Sequence, residues 1–146
     1  MATARQFEDL NVWQDARLLV AAVYSAAKQR ALNQDVGLRD QIRRATVSAI
    51  SNIAEGFERG TRKELVQFLN IAKGSNGEVR SQLHAALDQK YISEKEFANL
   101  RESAATLSKK PAAFIRYLES YAGSSRMKKP TQGADNLQPS TSNLQR

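Results

Sequence analysis

The segment GFERGTRKE, residues 56–64, marks the point where one predicted helix ends and the next begins. Thr61 and Glu64 have the T-x-x-E spacing of a capping box, in which each side chain hydrogen-bonds a free amide at the start of a helix. Glycine is the residue most often found in the left-handed conformation just past a helix end, which favours Gly56 for that position. The segment therefore predicts a tight connection between two helices.

The same segment also has some features of a phosphate-binding loop. A Walker A loop requires the spacing G-x-x-x-x-G-K-[ST] between a strand and a helix. In this chain three residues separate Gly56 from Gly60, no lysine follows Gly60, and the preceding element is predicted to be a helix. A phosphoryl-transfer site is therefore disfavoured.

Apolar residues recur at spacings of three and four on both sides of the connection, which indicates helices. The stripe after it continues in one phase through the Gly74–Gly77 segment. Because a turn would normally reset the phase, we predict one long helix there, with its two glycines at a tight crossing. A later stripe, after a second capping box at Ser93–Glu96, keeps its phase across Pro111, where proline should kink or split the helix.

Helices with short connections are typical of an all-α, up-and-down antiparallel four-helix bundle. This domain is expected to span residues 1–121. Residues 122–146, which have no apolar stripe, are expected to form a disordered basic and polar tail. The four predicted helices cover about residues 11–30, 38–55, 62–90 and 94–121.

The second predicted helix has an additional apolar strip. A surface helix needs only one apolar face, but Val47, Ile50 and Ala54 form a second strip beside the first. Two apolar faces indicate burial on two sides of this helix, either inside a crowded bundle or against another subunit.

The composition argues against several classes of protein and site. The 146 residues include no cysteine and one histidine, which excludes disulfides and thiolate metal sites and disfavours a dedicated zinc site. No apolar run approaches the ~20 residues of a membrane span, and the N-terminus lacks the apolar core of a secretory signal. We therefore expect a cytoplasmic protein with no metal, no cofactor and no membrane partner.

The sequence also offers no clear catalytic group. The neighbours of His84 are apolar, and Ser81 stands where the E-x-x-H motif of di-iron bundles would need a glutamate. Acidic residues that are close in sequence are more simply explained as helix caps or as partners of nearby arginines. We therefore expect a protein that is not an enzyme.

The positive charges carry the functional prediction. The net charge is +7, of which +3 lies in residues 122–146 and +4 in residues 1–121. A helix start with cations beside it suits a phosphate, because its free amides and its dipole favour an anion. The alternative is that the cations near the connection pair with Glu55, Glu58 and Glu64. The candidate nucleic-acid-binding residues are Arg39, Arg43, Arg44, Arg59, Arg62 and Lys63.

Several segments together resemble a known family. Their order and spacing, over about residues 7–120, are similar to those of the four-helix bundle proteins encoded in 23S rRNA intervening sequences. That family also includes the accessory variability proteins of diversity-generating retroelements. The segments are FEDLNVWQDA (7–16), QIRRATVSAISNIAEGFERG (41–60), FLNIAKGS (68–75), EVRSQLHAA (78–86) and YIS (91–93).

The resemblance implies a bacterial cytoplasmic protein whose bundle assembles into a homopentameric ring, with suspected nucleic-acid binding through basic surfaces. Arg43, Arg44 and the connection at 56–60 match motif positions of the family. For the retroelement members it implies partnership with a reverse transcriptase. Two hypotheses follow. The chain is either a ring that binds RNA or DNA mainly through phosphates, or an adaptor whose ligand is a protein such as a reverse transcriptase.

Overall fold

The computed structural model describes residues 4–120 and contains five α-helices and no strand in that range. The predicted all-α class is confirmed. The predicted tail, residues 122–146, lies outside the described residues. The elements are a 3-10 turn at Phe7–Asp9, α1 (Asn11–Ala27), α2 (Arg30–Gln34), α3 (Val36–Glu58), α4 (Arg62–Asp88) and α5 (Glu94–Glu119).

The chain between α1 and α3 differs from the prediction. α1 ends at Ala27, short of the predicted end near residue 30, and the short helix α2 follows it. α3 begins at Val36, earlier than predicted. The Asp35 carboxylate accepts a hydrogen bond from the backbone amide of Leu38 at 3.1 Å. Aspartate in this position satisfies a free amide of the first helical turn, so the polar stretch before α3 is a helix start.

The long helices α3 and α4 run antiparallel. The hydroxyls of Ser48 and Ser75 lie 2.8 Å apart in the middle of the pair. Gly56, further along α3, lies against Leu65 and Phe68, which come earlier on α4. Residue numbers therefore increase along α3 in the direction in which they decrease along α4.

The last helix, α5, closes the arrangement by packing against both α4 and α1. Asp15 in the first half of α1 forms an ion pair with Lys110 in the second half of α5. Gln29, just past the end of α1, hydrogen-bonds Glu96 in the first turn of α5. These two contacts make α1 and α5 antiparallel as well, so the four long helices surround one core.

Each long helix contributes an apolar stripe to that core. The buried positions follow the spacing of three and four that the sequence shows, and removal of these side chains from water is the main favourable term in folding. The largest fully buried side chains are Leu10, Val12, Leu19, Val23, Leu32, Ile42, Ile53, Leu65, Leu69, Leu83, Leu107 and Phe114.

Gly56 lies inside α3, and its predicted position just past the helix end is wrong. It is buried, and a Cβ atom built on it would lie 2.7 Å from the Cβ of Phe68 and 3.2 Å from Cδ1 of Leu65. α3 continues to Glu58, and the left-handed conformation is that of Gly60, with φ of 83°. Local sequence suggests that a glycine ends a helix, but here close packing on α4 requires the glycine.

Unlike Gly56, the glycines of α4 do not lie at a close contact with another helix. α4 runs unbroken from Arg62 to Asp88, which confirms the prediction of one long helix. The predicted tight crossing is wrong, because within residues 4–120 no atom of another element lies within 4 Å of a Cβ built at Gly74 or Gly77. α5 also continues as one helix across Pro111, so the proline does not split it.

The two predicted capping boxes both lie at helix starts. At α5 the box is complete, because Ser93 accepts from the amide of Glu96 and the Glu96 carboxylate accepts from the amide of Ser93. At α4 the Thr61 hydroxyl accepts from the amide of Glu64 at 3.2 Å. The Glu64 carboxylate then accepts from that same hydroxyl, at 2.7 Å, in place of the backbone amide.

We expect Gly56→Ala to destabilise the protein by about 1–3 kcal/mol, because the added Cβ would overlap Phe68 and push α3 away from α4. Gly74→Ala is the matched control, since its Cβ would meet open space, and it should stabilise α4 by up to about 1 kcal/mol. Urea unfolding followed by circular dichroism measures both changes. A Gly56→Ala variant at least as stable as the wild type would contradict the close approach at Gly56.

Candidate nucleic-acid interface

The six predicted cations fall into two groups. Arg39, Arg43 and Arg44 lie in the first half of α3, and the other three lie at the α3–α4 connection. At a rise of ~1.5 Å per residue, about 21 Å of helix separates Arg44 from Glu58 at the end of α3. A single chain therefore does not gather the six cations into one patch.

At the connection, Arg59 is held by neighbouring side chains. Its guanidinium lies 3.0 Å from the Glu55 carboxylate and 3.9 Å from that of Glu64, and its central carbon is 5.2 Å from the ring centroid of Phe68. The sequence analysis gave three glutamates as alternative partners for these cations, and Arg59 pairs with two of them. An anionic ligand would have to compete with two carboxylates for Arg59.

The other two cations of the connection differ in exposure. Lys63 is exposed on the first turn of α4, and it forms no ion pair within residues 4–120. Arg62 is half-buried and has an interaction partner in the protein. The connection therefore offers less free positive charge than its sequence suggests.

Arg39, in the other group, is also held by its neighbours. Its Nε donates to the Asp40 carboxylate at 3.1 Å. Its Nη1 donates to the backbone carbonyl of Asn33 at 3.1 Å and to the side-chain oxygen of Asn33 at 3.2 Å. These bonds link the start of α3 to α2, so Arg39 stabilises the packing of these two helices.

Arg43 and Arg44 lie at a shallow groove on the outer side of α1 and α3. The Arg43 guanidinium lies over the ring of Tyr24 on α1, with its central carbon 5.0 Å from the ring centroid. Arg43 and Tyr24 are half-buried, and Arg44 is exposed. The groove, called the Arg43 groove below, is lined by Tyr24, Asp40, Arg43, Arg44, Val47 and Ser48.

The Arg43 guanidinium has no hydrogen-bond acceptor among residues 4–120, and its Nε is buried. The Tyr24 ring attracts the positive charge through its face, but it supplies no lone-pair acceptor for the N–H groups. A buried donor left unpaired costs at least about 1–3 kcal/mol, and more when it is charged. Such a group in a native structure requires an explanation, and no described residue supplies an acceptor for it.

The carboxylate of the groove forms an ion pair with neither of its arginines. Asp40 pairs with Arg39, and no ion pair within the described part of the chain involves Arg43 or Arg44. The groove therefore has two guanidinium groups without a carboxylate partner. Their N–H edges suit the oxygens of a phosphate, which arginine binds through paired hydrogen bonds.

The sequence predicts both arginines of this groove but gives no indication of Tyr24. This tyrosine is far from Arg43 in sequence and lies on a different helix. No local motif connects the two residues, because their contact depends on how α1 packs beside α3. The available signal is a helical projection of α1, which places Tyr24 away from the buried stripe.

The remaining described residues include one histidine and form no metal-ligating cluster. No cluster of three or more metal-ligating side chains occurs in residues 4–120. His84 is exposed, and its ring meets that of Phe97 edge-on with centroids 4.9 Å apart. None of the helices in this range is long and apolar enough to cross a membrane.

Two side chains with shifted pKa values connect the start of α5 to the region around α2. A hydrogen bond from Gln29 holds the pKa of Glu96 below its ordinary value. A hydrogen bond from the Tyr91 hydroxyl to the Asp35 carboxylate, at 3.1 Å, raises the pKa of Tyr91. Neither pair lines the Arg43 groove, so both are structural contacts between helix ends.

The chain is similar to known proteins both in sequence and in fold. A family model described as 23S rRNA-intervening sequence protein matches residues 8–113, which include all six candidate cations. A crystal structure of a protein with unknown function from the S23 ribosomal protein family, from Bacteroides thetaiotaomicron VPI-5482, has a TM-score of 0.67 at 20% identity. That match covers 72% of this chain and 98% of the other, and it shows a shared fold. No curated protein matches the chain.

Proposed function

We propose that this chain, which belongs to the 23S rRNA-intervening sequence protein family, is a non-enzymatic cytoplasmic protein of bacteria that binds nucleic acid through its Arg43 groove. The observation that carries the proposal is the pair Arg43 and Arg44, neither of which has a carboxylate partner within residues 4–120. Nucleic acid supplies phosphate oxygens at regular intervals, and these are the acceptors that guanidinium groups bind best.

Binding of this kind would tolerate many sequences. The groove presents donors for phosphates, and contacts to phosphates fix position without reading sequence. Its one aromatic ring, that of Tyr24, is already covered by Arg43, so it offers no platform for stacking a base. The affinity should therefore depend on ionic strength far more than on sequence.

We further propose that the protein acts as a homo-oligomeric ring of up-and-down bundles. Leu18 is 70% exposed in a groove between α1 and α5. Val47 on α3 and Ile71 on α4 are 37% and 45% exposed. Contacts run from α1 to α3, to α4, to α5 and back to α1, so Leu18 and Ile71 lie on diagonally opposite helices, whereas Val47 lines the Arg43 groove.

Apolar patches on opposite sides favour head-to-tail contacts between copies, which close into a ring if the rotation allows. The number of five copies rests on the resemblance of the sequence to its family. The second apolar strip contributes only in part, because Ile50 packs against the core and Ala54 is half-buried, whereas Val47 is exposed. A ring would repeat the Arg43 groove around its axis and raise the affinity for a long nucleic acid.

We expect the double variant Arg43→Ala/Arg44→Ala to bind RNA and DNA oligonucleotides more weakly than the wild type. The log–log dependence of affinity on salt should flatten by about 1 for each phosphate that the protein no longer neutralises. Lys95→Ala/Arg101→Ala is the matched control, because it removes two exposed cations from α5 and should leave affinity and slope unchanged. Fluorescence anisotropy over a salt series measures both quantities.

Unchanged affinity and slope in the Arg43/Arg44 variant would overturn the proposed groove. If the wild-type protein bound no nucleic acid but was recovered with a protein partner after nuclease treatment, the adaptor hypothesis would replace it.

Assembly is tested by light scattering with mass determination. The wild type should have a mass several times that of the 16.2 kDa chain, and five times for the pentamer. Leu18→Ser and Ile71→Ser should each shift the mass towards the monomer, because each removes an exposed apolar side chain. Ala21→Ser, at another exposed position of α1, is the control. A wild-type monomer at micromolar concentration would rule out the ring.

A further inference from the structure

We infer that Tyr24 is a positioning residue of the Arg43 groove, whose ring holds the Arg43 guanidinium with its N–H edge ready for a nucleic-acid phosphate. The inference rests on the proposed function and extends it to a residue on a different helix. It assigns the phosphate contact to Arg43 and the orientation of that contact to Tyr24.

The geometry of the stack leaves the hydrogen-bonding capacity of Arg43 intact. The central guanidinium carbon lies 5.0 Å from the Tyr24 ring centroid, within the range of a cation–π contact. The attraction acts between the positive charge and the face of the ring, which has no lone-pair acceptor. No hydrogen bond within residues 4–120 uses the guanidinium, so the contact with Tyr24 restricts the arginine and leaves its terminal amines without an acceptor.

The terminal amines of Arg43 are the donors that remain available. The Nε of Arg43 is buried without an acceptor, whereas the two terminal Nη groups do not belong to the buried unpaired atoms of residues 4–120. No hydrogen bond within that range uses them. The terminal amines are therefore the part of Arg43 that can reach a phosphate, and the buried inner part of the side chain keeps them in place.

Core packing does not account for Tyr24. The half-buried apolar residues that pack against the core include Tyr91 and Tyr117, but Tyr24 is not among them. The Tyr24 hydroxyl forms no hydrogen bond with any described residue. The contact with Arg43 is therefore the principal interaction that the structure assigns to this side chain.

A positioned arginine binds with a smaller loss of conformational freedom than a free one, because a long flexible side chain is ordered before the ligand arrives. Removing the Tyr24 ring would therefore weaken binding without removing a positive charge. The slope of affinity against salt counts the phosphates neutralised, so that slope should stay constant. A weaker affinity with an unchanged slope therefore distinguishes a positioning residue from a residue that contacts a phosphate.

The experiment measures the affinity of the full chain for a single-stranded RNA, a single-stranded DNA and a DNA duplex of equal length over a salt series. Tyr24→Leu should weaken binding by roughly three- to tenfold at every salt concentration, with the slope unchanged. Tyr24→Phe keeps the ring and should bind within about twofold of the wild type. Tyr24→Trp provides the strongest cation–π partner and should bind at least as tightly as the wild type.

Two controls separate this role from a structural one. Circular dichroism should show the same helix content and melting temperature for Tyr24→Leu and Tyr24→Phe within a few degrees. In a double-mutant cycle, Tyr24→Leu should have little further effect once Arg43→Ala is present, because the ring then has nothing to position.

Wild-type affinity for Tyr24→Leu, or an equal weakening of binding in the presence and absence of Arg43, would overturn this inference. Either result would leave the proposed function intact, provided that Arg43→Ala/Arg44→Ala still weakened binding. If Tyr24→Leu did not fold, weaker binding by Tyr24→Phe or Tyr24→Trp would overturn the inference instead. Unchanged binding by the double arginine variant would reject the proposed function and this inference with it.

Discussion

The close approach of α3 and α4 at Gly56 is the contact on which the rest of the structure depends. A side chain at this position would overlap Phe68, so the two helices can approach this closely only because the residue is glycine. The contact fixes their register, with Ser48 opposite Ser75 in the middle of the pair. In this packing α3 buries Ile42 and Ile53 and leaves Arg44 exposed. The position of the Arg43 groove then depends on how α1 packs beside α3.

The cations of the hairpin formed by α3 and α4 are of two kinds. Where α3 meets α4, Arg59 lies between two glutamates and against Phe68, so its charge helps to hold the connection together. In the first half of α3, Asp40 pairs with Arg39, and the charges of Arg43 and Arg44 stay without a carboxylate. The cations that contribute most to the hairpin are therefore the least available to a ligand.

Periodicity in the sequence was enough to predict the all-α class, the continuity of α4 through Gly74 and the apolar stripes of the core, because these depend on neighbours three and four residues apart. It failed where distant parts of the chain meet. Gly56 was predicted to lie just past a helix end, because the residues next to it in the sequence do not reveal that α4 packs against it. Tyr24 gave no signal, since its partner is on another helix. Of the predicted site residues, Arg43 and Arg44 remain the best candidates.

The most direct test of this account is an experimental structure of the protein bound to a short oligonucleotide. The account predicts a phosphate oxygen within hydrogen-bond distance, about 3 Å, of the terminal amines of Arg43, with the Tyr24 ring still stacked on the guanidinium and Arg44 beside the same backbone. A complex in which the nucleic acid lies against Lys63 and the α3–α4 connection, with no phosphate in the Arg43 groove, would contradict it.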